Sequence, residues 1–347
     1  MAKKVSILSL DGGGIKGIIP ATVLAYIEEQ LQKQSGNKDA RIADFFDLIA
    51  GTSTGGILTC AYLIPDENNR PKYTAKEALG FYLERGDEIF DVNIWQRMAS
   101  GGGIFDEKYS ADELEDALSD YFGDVLLSQL LKPSLITAYN IKDRKTEFFN
   151  KLDVPRKNLD YFVRDIARAT SAAPTYFEPA RIKSSNGLKV LPLIDGGMFA
   201  NNPAMCAYAE ARSVDFSAVT GNSEKPAHPG AKDMMILSLA TGSEKKPYSW
   251  KEARDWGSVK WIKPVIDILM SGNSETVDYE LKKIFETVDP HLNSYARVEP
   301  FLGRASAEMD EASPQNMALL VEAGETAVKQ NKDLLDQWVI ELIENQA

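Results

Sequence analysis

SLDGGGIKG, residues 9–17, follows the apolar run KVSILSL (4–10) and precedes IIPATVLAYIEEQLQKQ (18–34), where apolar residues recur at helical spacing. Strand, glycine turn and helix succeed one another. Three consecutive glycines weaken regular structure, so something must approach the backbone closely at residues 12–14. The pattern then recurs: DFFDLIAG (44–51) reads as a strand, STGG (53–56) as a turn and ILTCAYLI (57–64) as a helix. Further strands are expected at 134–141, 189–195 and 233–242. Helices are expected near 75–90, 110–122, 158–169, 203–214, 253–286 and 312–343. Strands alternating with helices predict an α/β fold, a mostly parallel sheet covered on both faces.

Composition narrows the function classes. A net charge of -12 argues against binding along a phosphate backbone, which rests on clustered Lys and Arg. No apolar run approaches the ~18 residues of a membrane span. The opening MAKKVSILSLDGGG places a basic pair before a short apolar run that ends in Asp11 without a small-residue cleavage site, so it reads as a first strand rather than an export signal. Cys60 and Cys206 both sit in apolar helical patterns and suit neither a disulfide framework nor a zinc site. A reducing, cytoplasmic setting is the expectation. The loop-like stretches 99–110 and 221–233 are too short to act as linkers, so residues 1–347 read as one domain.

Two motifs compete for the chemistry. Gly12, Gly14 and Gly17 satisfy G-x-G-x-x-G between a strand and a helix, as a dinucleotide fold requires. That fold also needs a strand ending in an acid about 20 residues on, and residues 25–38 read as helix and polar loop. The nucleotide-binding oxidoreductase reading is thereby weakened. GTSTG, with Gly51 and Gly55 flanking Ser53, is the pattern of a nucleophile on a sharp strand-to-helix turn. Its alternative is a Ser or Thr capping a helix.

A serine nucleophile needs a base within hydrogen-bond reach. His228 lies between Pro226 and Pro229 in a loop and His291 follows a proline, so neither sits at a strand end. Asp195 does, in PLIDGGM, and Gly196 and Gly197 after it let its carboxylate approach a neighbouring turn. Asp11 has a similar setting but reads as a brace for the glycine turn. Ser53 with Asp195 is therefore the expected catalytic pair. An aspartate is a weak base unless burial raises its pKa. The amides of the glycine turn are then the expected donors to an oxyanion, since no Cβ stands in the way. Lys16 adds positive charge beside that turn in a supporting role.

DGGGIKG (11–17), GTSTGG (51–56) and DGG (195–197) occur in this order, and together with ATSAAPTYFEP (169–179) and DGGMFANNPA (195–204) they resemble the patatin-like phospholipase family, plant patatins in particular. The similarity extends from about residue 4 to about 328. It implies a three-layer α/β/α sandwich and lipid acyl hydrolysis by a Ser-Asp dyad. Ser53 would be the nucleophile, Asp195 the base, and the backbones of Gly12, Gly13 and Gly14 the oxyanion hole. No metal or other cofactor is implied. The implied partners are a phospholipid, galactolipid or other acyl ester and a transiently contacted membrane surface; oligomeric state is left open. An acyltransferase on the same dyad and a catalytically idle storage protein remain alternatives. Many bacterial relatives carry Arg where this chain has Lys16, and plant storage patatins carry an export signal that this chain does not show.

Residues 248–270 gather Trp250, Trp256 and Trp261 among lysines. The preferred reading is core packing with snorkelling lysines, and the alternative is an interfacial helix. Gly101–Gly103 follow no strand and read as a loop, a lid being one use for it.

Overall fold

The computed structural model describes residues 3–89, 111–242, 247–288 and 294–346. Among the described residues, eight strands form one sheet: β1 (Val5–Leu10), β2 (Leu48–Gly51), β3 (Ser134–Asn140), β4 (Lys145–Phe149), β5 (Ala180–Lys183), β6 (Val190–Asp195), β7 (Met234–Leu239) and β8 (Tyr295–Val298). β3, β2, β1, β7 and β8 lie side by side and parallel. β4 and β6 run antiparallel to β3, and β5 antiparallel to β6.

The first helices are α1 (Ile18–Ser35), α2 (Ile42–Phe45), α3 (Thr54–Leu63), α4 (Ala75–Ile89), α5 (Ala111–Phe122), α6 (Val154–Lys157) and α7 (Val163–Thr170). They are followed by α8 (Gly197–Ala200), α9 (Ala204–Ala211), α10 (Phe216–Thr220), α11 (Trp250–Ala253), α12 (Ser258–Glu286), α13 (Pro314–Gln330) and α14 (Lys332–Gln346). Alternation along β1 divides them into two layers, because successive side chains leave opposite faces of a strand. Val5 and Ile7 join a core with Ala204, Ala207, Val277 and Leu281 from α9 and α12. Leu8 and Leu10 join another with Leu24, Leu58 and Leu320 from α1, α3 and α13. The result is the expected sheet with helices on both sides.

Register along β3 positions the site. Ile136 pairs with both Gly51 and Phe149, and Ala138 with both Glu147 and Asp195. A residue pairs with one neighbour on each edge, so β4 takes one edge of β3 while β2 and β6 share the other. β2 is parallel to β3 and β6 antiparallel, so their C-terminal ends meet head to head.

Several boundaries differ from expectation. Residues 44–45 belong to α2 rather than to a strand. Asp44 accepts the Arg41 N–H at 2.9 Å and is gripped by Arg70 at 2.6 and 2.7 Å, so β2 begins only at Leu48. The expected helix at 158–169 is α7, starting at Val163, with Asn158 in a left-handed conformation before it. The helix expected over 312–343 is two, divided at Asn331, whose side-chain amide donates to the Ala327 carbonyl at 2.9 Å. β4, β5 and β8 were not expected at all. Each is an edge strand of four or five residues carrying charged side chains, as edges commonly do, so none shows an apolar run. The loop 221–233 is pinned by Lys225, buried in an ion pair with Asp47 at 2.7 Å.

The tryptophan-rich segment departs from the core-packing expectation. Trp256 packs edge-on against Tyr248 and Trp261, but Trp250 is 74% and Trp261 37% exposed. Among the described residues, no helix is long and apolar enough to cross a membrane. His291 and Gly101–Gly103 lie outside the described residues.

Candidate active site

Ser53 stands between the end of β2 and the start of α3 with φ 55° and ψ -125°. A non-glycine residue rarely adopts positive φ, and where it does the surroundings must enforce it. Here they do. The Ser53 N–H donates to Thr170 Oγ1 at 2.9 Å, the Thr52 N–H to the Leu10 carbonyl at 3.2 Å, and the Thr52 hydroxyl to the Ala200 carbonyl at 2.6 Å. Side chains at Gly51, Gly55 or Gly196 would run into the Gly55 carbonyl, the Leu10 carbonyl and Thr137 respectively. The Ser53 side chain accordingly makes no N-cap bond to α3, and its hydroxyl stands at the positive end of that helix.

Asp195 ends β6 and is almost fully buried, as is Ser53. Its Oδ1 accepts the Gly197 N–H at 2.7 Å, and the Ser53 hydroxyl lies near enough to lower its pKa, although no hydrogen bond between the two side chains is found among the described residues. Burial pushes its pKa up from 3.8 to about 6, against the lowering effect of those two groups. The two expected partners are thus brought together.

The glycine turn lies beside them. The Gly12 N–H is already committed to the Asn201 carbonyl at 3.1 Å, whereas no hydrogen bond from the Gly13 or Gly14 N–H to a described residue is found. Thr241 donates its hydroxyl to the Gly12 carbonyl at 2.8 Å. In a trans peptide the N–H points opposite to the C=O, so this bond turns the Gly13 N–H away from Thr241. Gly14 holds φ at +61°, a conformation that favours glycine.

Asp11 does not brace the turn. Its carboxylate forms a two-pronged ion pair with Arg297 of β8, at 3.2 and 2.7 Å, and Arg297 also donates to Ser238 at 2.8 Å and pairs with Glu299 at 2.9 Å. Burial raises the pKa of Asp11 to about 6 although Arg297 pulls it down, and the Asp11 charge in turn raises that of Arg297. Arg297, Thr241, Thr170 and Asn201 were not picked out from sequence. Each sits far along the chain from the glycine turn; Thr170 and Asn201 fall inside the stretches 169–179 and 195–204, but nothing in those stretches marks which residue reaches the turn.

Two cavities meet at this point. An apolar slot of about 40 Å³ has Ser53 and Asp195 in its wall, with Ile57, Phe177, Met198 and Met270 among the other lining residues. A cleft of about 510 Å³ adjoins it, lined by Gly12, Gly13, Lys16 and a group of acids that includes Asp267, Glu299 and Glu308. Tyr176, Ile266, Met270 and Met309 line both. Lys16 is half-buried there; burial lowers its pKa and the charges of Asp267, Glu308 and Glu299 oppose that. His228 is exposed and lines neither cavity.

The family profile described as patatin-like phospholipase matches residues 8–208. The chain belongs to the patatin-like phospholipase family. Patatin-04/09 from Solanum tuberosum is 38% identical over 343 residues, covering 95% of this chain and 85% of that protein. From the same organism, a protein named Probable inactive patatin-3-Kuras 1 is 37% identical over 344 residues, covering 95% of this chain and 88% of that protein. Among solved structures, VipD from Legionella pneumophila aligns at 13% identity with a TM-score of 0.41, covering 96% of this chain and 67% of that chain. Membership in a patatin family implies lipid substrates. Because a relative named as inactive is about as similar as the others, activity in this chain must be argued from its own residues.

Proposed function

We propose that the protein is a serine lipid acyl hydrolase in which Ser53 is the nucleophile and Asp195 the general base. The observation that carries this reading is the meeting of a positive-φ serine and a buried carboxylate of raised pKa in the wall of one apolar slot. Ser53 Oγ attacks the ester carbonyl and its proton passes to Asp195. The tetrahedral oxyanion accepts hydrogen bonds from Gly13 and Gly14, which are favoured over Gly12 because the Gly12 amide is already in use. Collapse breaks the bond to the alcohol, which leaves with the proton from Asp195. Water then attacks the acyl-Ser53 ester, giving one proton to Asp195; collapse releases the fatty acid and returns that proton to Ser53.

The two cavities support a division of the substrate. The apolar slot suits the start of an acyl chain and the wide polar cleft suits the head group. At about 40 Å³ the slot must open to admit a chain, and Met198, Met270 and Met309 in its lining are unbranched side chains that change rotamer readily. Ser53, Asp195 and backbone amides complete the proposed chemistry without a metal.

The test is hydrolysis of a panel of phospholipids, galactolipids and soluble short-chain esters by wild type and Ser53→Ala, with and without a chelator, alongside fluorophosphonate labelling. Loss of hydrolysis and labelling in the variant, with no effect of the chelator, is expected. Equal hydrolysis by both proteins would remove the mechanism.

A further inference from the structure

α12 is apolar on two sides. Its inner side carries Val277 and Leu281 into the core and Ile266 and Met270 into the walls of both cavities. Its outer side presents Trp261, Ile262, Val265, Ile268 and Leu269 to solvent, with Ile262 50% and Ile268 47% exposed. Their spacing of i, i+1, i+4, i+7 and i+8 places them in one continuous stripe, about 12 Å long at 1.5 Å per residue. Half-exposed Tyr248, which lines the polar cleft, is joined to the stripe through Trp256, which packs edge-on against both Tyr248 and Trp261, and Trp250 on α11 is exposed as well. A helix at the surface of a soluble fold ordinarily turns a polar face outward. A contiguous exposed apolar stripe marks an interaction surface.

We propose that this stripe docks the protein onto a zwitterionic lipid surface, with the active-site mouth facing the lipid. This goes beyond the hydrolase reading and rests on it only for the source of substrate. Three observations favour lipid as the occupant. The residues that border the stripe on the same helix, Ile266 and Met270, form the walls of the apolar slot, so a surface covering the stripe also lies over the entrance to that slot. Tryptophan and tyrosine are concentrated at its edge, where a ring with one apolar and one polar side suits the boundary between acyl chains and head groups. The charges of the segment nearly cancel: residues 248–270 carry Lys251, Arg254, Lys260 and Lys263 against Glu252, Asp255 and Asp267. With an excess of only one positive charge over that segment and a net charge of -12 on the chain, the surface is suited to neutral or zwitterionic lipid rather than anionic lipid.

The experiment is co-sedimentation of the full chain with phosphatidylcholine vesicles, and with vesicles in which part of the phosphatidylcholine is replaced by phosphatidylserine. Ile262→Ser combined with Leu269→Ser is expected to lower partitioning onto phosphatidylcholine at least about tenfold, since each exposed side chain loses its apolar transfer free energy. Hydrolysis of a soluble short-chain ester should stay within about twofold of wild type, because neither residue lines either cavity. Phosphatidylserine should not strengthen binding. As a second measurement on the unaltered protein, brominated phosphatidylcholine should quench tryptophan fluorescence. Equal sedimentation of wild type and variant, absence of quenching, or light scattering that shows the stripe buried in a dimer that the variant dissociates would each overturn the proposal. Sedimentation needs no catalysis, so failure of the Ser53 reading would leave this result standing on its own.

Discussion

Gly51 and Asp195 lie opposite Ile136 and Ala138 on the same edge of β3, one at the end of a parallel strand and the other at the end of an antiparallel one. Because the two strands run toward each other, the residues that follow them converge. Ser53 comes two residues after Gly51, and Asp195 is itself the last residue of its strand. The candidate site is thus built into the hydrogen-bond register of a single strand, with the glycine turn arriving from β1 beside it.

The proposed base, Asp195, should set the acid limb of the pH profile. With Asp195 raised to about 6, kcat/KM for a soluble ester should fall below pH 6 in step with protonation of one group. A profile that stays flat down to pH 4.5 would exclude Asp195 as the base.

The same burial has a cost in stability. A carboxyl whose folded pKa lies above its unfolded value contributes stability at low pH that is lost as pH rises through the folded value. For Asp195, the gap between 3.8 and about 6 is equivalent to about 3 kcal/mol. Asp195→Asn keeps an acceptor for the Gly197 N–H but carries no charge. It should therefore be inactive yet more stable than wild type above pH 6, by up to about 3 kcal/mol in chemical denaturation, with the difference closing near pH 4.

Thr241 should act as a positioning residue, through its bond to the Gly12 carbonyl. Thr241→Val keeps the shape and removes the donor. A fall in kcat of about tenfold to a hundredfold with KM nearly unchanged is expected, since loss of a whole oxyanion donor costs ~10²–10³, and Thr241→Ser should restore most of the rate. A change confined to KM would assign Thr241 to substrate binding instead.

Gly12→Ala should disarm Ser53, the proposed nucleophile, from the other side. Its Cβ would stand 2.5 Å from Asn201 Oδ1 and 3.2 Å from the Ser53 Cβ. Displacement on the scale of 1 Å can cost ~10² in rate, so fluorophosphonate labelling of Ser53 should slow by about that factor. Labelling at the wild-type rate in a folded variant would show that the turn does not press on Ser53.

The Asp11–Arg297 pair should matter for folding. Arg297→Met leaves a buried carboxylate without its counter-charge, a change that typically costs about 3–5 kcal/mol. Adding Asp11→Asn should recover part of that loss. A double-mutant cycle in urea measures the coupling, and additive effects would show that the pair is not an energetic unit.

The sequence by itself determined the class of fold and pointed to the residues of the candidate site. Buried parallel strands are continuous apolar runs, and the turns that carry Ser53 and residues 12–14 need glycine, so VSILSL, LIAG and the motifs around them announce themselves locally. Edge strands β4, β5 and β8 carry charges and leave no such mark. What only the tertiary structure decided are the relations between distant segments: Gly12 spending its amide on Asn201, Asp11 meeting Arg297 from β8, Thr241 orienting the turn, and the outer face of α12 being left bare. These depend on which strand lies beside which and on what finally covers each helix. A local pattern records which residues can pack, but not what they pack against.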